Sequence, residues 1–322
     1  MDIIIGYDSA LEYWRLTGRA FLRGYEARKG ATRRARKAFA SPEKPRLSEG
    51  NRRPGGCTLP LQAIVGNAEA RTSTMRVASH TWTNLPERSV IDVGEGFFMS
   101  TPEFCFLQMA ASLSLARLIY LGFELCGTYA LAEGGPSITR EASLTTRTRI
   151  RGFVEAAQGA PGRPKALRAL RYVLDGSASP METVLAMMLH LPYNLGGYAL
   201  ESPLLNYRVD VPPSLREIAD RGLCRCDLCW PDAKLAVEYD SKRFHSDQVR
   251  RKSDASRRST LIALGFTVVT AYPDHVLDSG AFNRLARQLA KLTGKRLRYE
   301  DPGFTRKHLE LREQLFEDIR NR

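Results

Sequence analysis

The sequence is poor in cysteine and has no long uninterrupted apolar run. Its 322 residues include 6 cysteines at irregular spacing, so the disulfide framework of a small secreted domain is not expected. The longest apolar tracts, near 105–131 and 183–200, are broken by polar residues, and neither supplies the roughly 20 residues that a membrane span needs. The N-terminus lacks a basic segment followed by a long apolar core, so no signal peptide is predicted. These absences favour a protein of the reducing cytoplasm with no membrane partner.

Acidic residues are also scarce relative to basic ones. Lys and Arg number 48 against 35 Asp and Glu, which gives a net charge of +13. An excess of this size favours polyanionic partners, with nucleic acid ranked before an anionic membrane. Residues 15–53 alone hold 13 Lys and Arg against 3 Glu, and they form either a solvated, partly disordered segment or an arm that follows phosphates. In the second case the candidate contacts to DNA are Arg33, Arg34, Arg36 and Lys37.

The length and the distribution of turn residues predict an α/β (α+β) protein of two domains. We expect a smaller α+β domain over 1–132, with a basic segment at 28–56, and then a helical linker over 133–178. Residues 179–295 predict the order helix, strand, strand, strand, helix, strand and helix, which is typical of a mixed sheet flanked by helices. A charged helix is predicted over 296–322.

Three acidic residues follow apolar strand patterns in the second domain. The run Leu235 to Val237 leads directly into Glu238 and Asp240, and Asp227 lies on the preceding predicted strand. A buried strand that ends in carboxylates is costly unless they are neutralised, and a divalent cation is the usual partner of converging oxygen ligands. We therefore predict that Asp227, Glu238 and Asp240 bind Mg²⁺ or Mn²⁺. Asp240 lies two residues after Glu238 and hence on the same strand face, although it is also suited to capping a turn.

Other residues near these acids have a structural interpretation beside the functional one. Glu182 lies three residues after Ser179, the spacing of a helix capping box. A zinc site built from Cys224, Cys226 and Cys229 would lack the usual fourth ligand, so buried thiols are favoured. The basic residues of this region are candidate phosphate contacts, although Arg257 is also spaced to form an ion pair with Asp254. These candidates are Lys242, Arg243, Arg250, Arg251, Arg257 and Arg258.

Segment 179–295 resembles the PD-(D/E)XK nuclease superfamily, and more closely its very-short-patch-repair-like (Vsr-like) endonuclease domains. The resemblance is carried by short motifs in order along the chain, namely Ser179-Pro180-Met181-Glu182, Arg225-Cys226-Asp227 with Pro231, Glu238-Tyr239-Asp240-Ser241, His245, Asp254-Ala255-Ser256-Arg257, and Leu261 with Gly265. It implies a restriction-endonuclease-like fold and metal-dependent hydrolysis of DNA phosphodiester bonds.

The resemblance also implies catalytic roles for particular residues. Asp227, Glu238 and Asp240 would be catalytic, Glu182 would reach the metal through water, and His245 would orient or deprotonate the attacking water. The superfamily's signature Lys is replaced by Asp240, and the nearby Lys242 is a candidate substitute. If that Lys is essential, the domain is an inactive nuclease fold that binds DNA as a regulator.

The first 130 residues resemble, through shorter motifs, the N-terminal region of AbiEi-type antitoxins. The matching residues are Ser9-Ala10 with Tyr13-Trp14, Arg76 with His80, and Ser100-Thr101-Pro102-Glu103. This likeness implies a toxin–antitoxin or defence context, and a cognate toxin as a second partner.

Overall fold

The structure of the chain is a computed structural model. It describes residues 2–17, 31–47, 53–132, 135–215, 223–240, 248–297 and 303–320. The chain divides into two compact units, Met1–Val173 and Leu174–Arg322. Within the described ranges, no helix has both the length and the apolar character that a bilayer span requires.

The first unit contains a five-stranded sheet in the order β3-β2-β1-β5-β4. Its strands are β1 (Ile3–Ile5), β2 (Leu61–Val65), β3 (Val77–Thr81), β4 (Val90–Gly94) and β5 (Phe97–Ser100), and a short hairpin follows with β6 (Tyr129–Ala130) and β7 (Ile138–Thr139). Its helices are α1 (Tyr7–Thr17), α2 (Ala31–Ala40), α3 (Pro102–Met109), α4 (Leu115–Cys126), α5 (Arg147–Ala156) and α6 (Arg163–Ala169). The three Ile residues of β1 are buried because this strand pairs with β2 on one side and β5 on the other.

Local capping signals set several helix starts in this unit. The run Ser100-Thr101-Pro102-Glu103 predicts a helix start with a hydroxyl cap followed by Pro. In the structure the Thr101 hydroxyl accepts the Phe104 N–H, and Pro102 occupies the first turn of α3. The spacing of Ser9 and Glu12 predicts a helix cap at Ser9. This prediction is wrong, because α1 begins at Tyr7 and the Ser9 hydroxyl instead accepts the Gln62 N–H at 3.1 Å. Helices α5 and α6 were predicted as a linker but belong to the first unit, where Ile150 of α5 is fully buried.

The residues behind the N-terminal resemblance are largely part of this core. Ser9, Ala10, Tyr13 and Trp14 are buried in α1, and the Trp14 indole donates to the Ser100 carbonyl at 2.7 Å. These residues therefore have a structural role that is sufficient to explain their identity. Of the predicted basic segment, 28–30 and 48–52 lie outside the described residues, and α2 lies within it.

A buried ion pair holds α1 against α4. The Arg15 guanidinium donates from Nε and Nη2 to the two carboxylate oxygens of Glu124, at 2.8 Å each. Arg140 donates to the Glu124 backbone carbonyl at 3.2 Å, and the Leu131 N–H donates to the Glu124 carboxylate at 3.0 Å. Burial alone would raise the pKa of Glu124, but the charges of Arg15 and Arg140 outweigh it and leave the pKa lowered. Glu124 is therefore an ionised carboxylate inside the core.

The second unit contains a four-stranded mixed sheet in the order β11-β10-β9-β8. Its elements are α7 (Pro180–His190), β8 (Leu204–Asp210), β9 (Leu223–Trp230), β10 (Leu235–Tyr239), α8 (Gln248–Ala263), β11 (Thr267–Ala271), α9 (Pro273–Leu277), α10 (Ser279–Leu292) and α11 (Gly303–Arg320). Strands β10 and β11 are parallel, and the other neighbours are antiparallel. The predicted mixed-sheet α/β class is confirmed, and the additions between 179 and 295 among the described elements are the short helix α9 and two 3-10 turns, Tyr193–Leu195 and Pro213–Leu215.

Removing Arg15 tests the buried ion pair. We expect Arg15→Met to lower the free energy of unfolding of the first unit by about 3–5 kcal/mol, because it leaves a buried carboxylate without its main counter-charge. The double variant Arg15→Met/Glu124→Gln should recover part of this loss. Urea unfolding followed by tryptophan fluorescence measures both changes. Arg34→Met, which removes exposed ion pairs to Asp2 and Asp92, is the matched control and should change stability far less. Equal losses in the two single variants would contradict the assignment.

Candidate metal-binding site

Asp227 and Glu238 occupy neighbouring positions across the β9–β10 pair. The antiparallel register joins Trp230 with Leu235 and Leu228 with Val237, and one further step places Asp227 opposite Glu238. Regular pairing stops at this point. The Asp227 carboxylate instead accepts the Tyr239 backbone N–H at 2.7 Å. The two acids therefore lie on adjacent strands, as the sequence predicts.

On the other side of Asp227, strand β8 contributes Asn206. The β8–β9 register joins Leu205 with Leu228 and Tyr207 with Cys226, which places Asn206 opposite Asp227. Asn206 has a φ of +46°, in the left-handed region that Asn tolerates better than most residues. Its Nδ2 donates to the Glu182 carboxylate at 2.8 Å and to the Gly176 carbonyl at 2.9 Å. Asn206 thereby connects β8 to the start of α7.

Glu182 combines a capping role with a place beside Asp227. The Ser179 hydroxyl accepts the Glu182 N–H at 3.2 Å, which confirms the predicted helix cap. The Glu182 carboxylate accepts the Ala178 N–H and the Ser179 hydroxyl, each at 2.9 Å. Burial and then the negative charge of Asp227 raise the pKa of Glu182 to about 7, in spite of these hydrogen bonds. The two carboxylates are thus close enough to repel each other in a dry environment.

Glu238 has a counter-charge within the structure. Its side chain is 12% exposed, and its Oε2 lies 3.0 Å from Nη2 of Arg257, which α8 supplies. Arg257, proposed above as a phosphate contact, therefore neutralises a carboxylate of the candidate site. Its other predicted partner, Asp254, has a side chain outside the described part of the chain.

The three cysteines of β9 are buried thiols and form no disulfide. A hydrogen bond between the thiols of Cys226 and Cys229, together with burial, raises the pKa of Cys226. The charges of Glu238 and Asp227 raise the pKa of Cys226 further. The charges of both acids therefore reach the Cys226 thiol, although Glu238 is paired with Arg257 and Asp227 lies near Glu182.

The remaining predicted site residues are either exposed or outside the part of the chain that the structure describes. Asp240 is exposed directly after β10, where its N–H donates to the Ala271 carbonyl at 2.9 Å. His245, Lys242 and Arg243 lie outside the described residues. Arg250 and Arg251 belong to α8, but their side chains are also outside the description. Exposed Arg258 donates from Nη1 to the Thr270 hydroxyl at 3.3 Å. In the first unit, the exposed candidates on α2 are Arg33, Arg34, Arg36 and Lys37.

Among the predicted acidic ligands, Glu182 and Asp227 are the pair whose charges interact. Across the described residues, no three His, Cys, Asp or Glu side chains lie together as a complete metal-ligand set. Magnesium, however, is commonly held by one or two protein carboxylates together with substrate phosphates and water. Glu182 and Asp227 provide such a pair, and a cation between them would relieve the repulsion that raises the pKa of Glu182.

Asn206 was not among the site residues predicted from the sequence. A polar amide in the middle of a strand is uncommon, and Leu-Leu-Asn-Tyr interrupts an otherwise apolar pattern. This interruption is visible in the sequence, but the register of β8 with β9 is needed to show that Asn206 lies opposite Asp227.

Comparisons with known proteins give a short match and no described function. No family model and no solved structure matches the chain. Two curated proteins of Mycobacterium tuberculosis, the uncharacterized proteins MT2308 (strain CDC 1551 / Oshkosh) and Rv2248 (strain ATCC 25618 / H37Rv), are each 36% identical over 67 residues. That region is 21% of this chain and 24% of each relative. The chain therefore matches about a quarter of the length of these relatives.

Metal binding at the Glu182–Asp227 pair should be visible as thermal stabilisation. At about pH 8, above the pKa of Glu182, Mn²⁺ at about 100 times its dissociation constant should add about 2.7 kcal/mol to the stability of the second unit. Differential scanning fluorimetry with and without MnCl₂ measures the shift, which should vanish in Glu182→Gln and in Asp227→Asn. Asp210→Asn changes an exposed acid of β8 and should keep the wild-type shift. A shift that survives in both site variants would place the metal elsewhere.

Proposed function

We propose that the second unit is a metal-dependent DNA endonuclease that hydrolyses phosphodiester bonds, with Mg²⁺ or Mn²⁺ as its cofactor. One observation carries the proposal, namely that the buried Glu182 carboxylate lies close enough to Asp227 for the charge of Asp227 to raise its pKa, while Glu238 lies on the strand next to Asp227. Buried carboxylates that repel one another are expensive to maintain. Such groups are common at functional sites, where a bound cation compensates for the cost.

Each residue of the site would have a separate role in hydrolysis. Glu182 and Asp227 would hold the cation, which supplies charge stabilisation for the phosphorane-like transition state and an activated water. Asn206 would keep Glu182 turned towards Asp227 through its hydrogen bond to the carboxylate. Glu238, once released, would accept a proton from the attacking water or join the ligand set. His245 is proposed to assist as a base on the strength of the family resemblance alone, and Asp240 as a further ligand.

Arg257 would change partners when DNA binds, from the Glu238 carboxylate to a phosphate. Its guanidinium is 39% exposed while paired with Glu238, so a DNA phosphate can compete for it. Transfer of Arg257 to phosphate would free the Glu238 carboxylate in the same step. The same proposal assigns phosphate contacts to Lys242, Arg243, Arg250, Arg251 and Arg258, and to the basic residues of α2. A defence or toxin–antitoxin setting is proposed only from the resemblance of the first unit.

Cleavage of plasmid DNA tests this function directly. Purified protein with MgCl₂ or MnCl₂ should convert supercoiled plasmid to nicked or linear DNA, and EDTA should stop the reaction. Asp227→Asn and Glu238→Gln should each reduce the rate by about 100-fold or more, because they remove a carboxylate on which metal binding or proton transfer depends. Asp210→Asn, purified in the same way, should cleave like the wild type. Equal cleavage by all four proteins would identify a contaminating nuclease and reject the proposal.

A second candidate function is a catalytically inactive DNA-binding regulator of antitoxin type. The Glu238–Arg257 ion pair favours it, because an arginine there can replace a cation permanently. The replacement of the superfamily's Lys by Asp240 favours it as well. This candidate requires salt-sensitive DNA binding with no cleavage under either metal, and co-purification with a cognate toxin would strengthen it.

A further inference from the structure

Helix α10 presents a basic surface that the acidic site does not explain. Between 279 and 297 the chain holds five Lys and Arg residues and no acidic residue. All five are exposed, namely Arg284, Arg287, Lys291, Lys295 and Arg296. We refer to these five residues as the α10 stripe. The opposite face of the helix is buried in the second unit through Phe282, Leu285 and Leu289.

The helical geometry aligns the first three residues of the α10 stripe. Arg284, Arg287 and Lys291 are separated by three and four positions, so they lie on one face of the helix. At 1.5 Å of rise per residue they extend over about 10 Å. Lys295 and Arg296 follow directly after Gly294, whose φ of +70° ends the helix. Arg284, Arg287 and Lys291 therefore form a row along the helix, and Lys295 and Arg296 extend the basic surface past its end.

The α10 stripe differs from an ordinary solvated helix face. Such faces usually mix the two signs of charge, and α11 does so, with Arg306 paired to Glu310 at 2.9 Å. Helix α10 carries no acidic residue between Ser279 and Leu292, so ion pairs of this kind cannot form between its own residues. A single-sign row of this kind raises the local positive potential and attracts a polyanion.

We propose that the α10 stripe binds the phosphate backbone of duplex DNA. A single strand is a poorer fit, because its binding sites place exposed aromatic side chains among the cations, and the one aromatic residue between 279 and 297, Phe282, is fully buried. A membrane is a poorer fit as well, since the apolar face of α10 is directed into the protein core. Phosphate contacts of this kind position a duplex without reading its sequence.

The chain path connects the α10 stripe with the candidate site. Glu238 of β10 pairs in register with Thr270 of β11, and β11 leads through α9 directly into α10. The inference rests on the proposed function for the identity of the partner, since duplex DNA is the substrate proposed for the same unit. It adds a surface that would hold the duplex whether or not the site cleaves it.

Binding measured without divalent metal tests this inference. The probe is a fluorescein-labelled 20-base-pair duplex, titrated with the full chain in EDTA over a series of KCl concentrations and followed by fluorescence anisotropy. The variant Arg284→Gln/Arg287→Gln/Lys291→Gln should lose affinity, and its slope of log K against log salt should be shallower by about 2 to 3. The control Arg88→Gln/Arg208→Gln/Arg306→Gln removes the same charge from other exposed positions and should keep the wild-type slope.

The outcomes separate this inference from the proposed nuclease. A stripe-dependent slope in a protein that never cleaves DNA would support the inference and reject the nuclease. Metal-dependent cleavage that Glu238→Gln abolishes, with an unchanged slope in the stripe variant, would support the nuclease and overturn the inference. Equal losses in the stripe and control variants would overturn it too, because total charge would then explain the binding. Equally tight, stripe-dependent binding of a 20-nucleotide single strand would overturn the assignment to duplex DNA.

Discussion

The cost of burying carboxylates is the constraint on which the second unit depends. Three acids of this unit are buried or partly buried, namely Glu182 on α7, Asp227 on β9 and Glu238 on β10, and each needs compensation to remain there. Glu182 accepts hydrogen bonds from the chain before α7 and from Asn206. Asp227 accepts the backbone N–H that would otherwise continue the sheet, and Glu238 faces Arg257. The irregular end of the β9–β10 ladder and the left-handed backbone of Asn206 both allow hydrogen bonds that stabilise these carboxylates.

The kind of compensation separates a structural acid from a functional one. In the first unit, the buried carboxylate of Glu124 has a bidentate arginine, and the pKa of Glu124 is lowered. Among the described residues, the hydrogen bonds to the Glu182 carboxylate from Ala178, Ser179 and Asn206 all come from neutral donors, and the pKa of Glu182 is raised. A neutral hydrogen-bond shell leaves negative charge that a cation from solution can balance, whereas a guanidinium has already balanced it. Glu238 stands between these cases, because its arginine is partly exposed and can be drawn away.

Local signals in the sequence predicted much of this fold, and long-range pairing explains what they missed. The helix start at Ser179 and the strands carrying Asp227 and Glu238 were predictable because caps and apolar runs act over a few residues. Ser9 was misjudged because its hydroxyl serves a strand 53 residues away. The role of Asn206 depends on the register of two strands, which no local pattern determines. Strand β5 was not predicted, since four residues after a glycine turn give too short a pattern.

The buried thiols have a practical chemical consequence. All six cysteines are shielded from solvent and none is oxidised to a disulfide, and burial raises the pKa of Cys57 to about 12. Alkylating reagents attack the accessible thiolate, so maleimides should leave the native protein almost unmodified. A cysteine introduced at an exposed position such as Arg306 would then carry a fluorophore or spin label at a single known point, without prior removal of the natural cysteines.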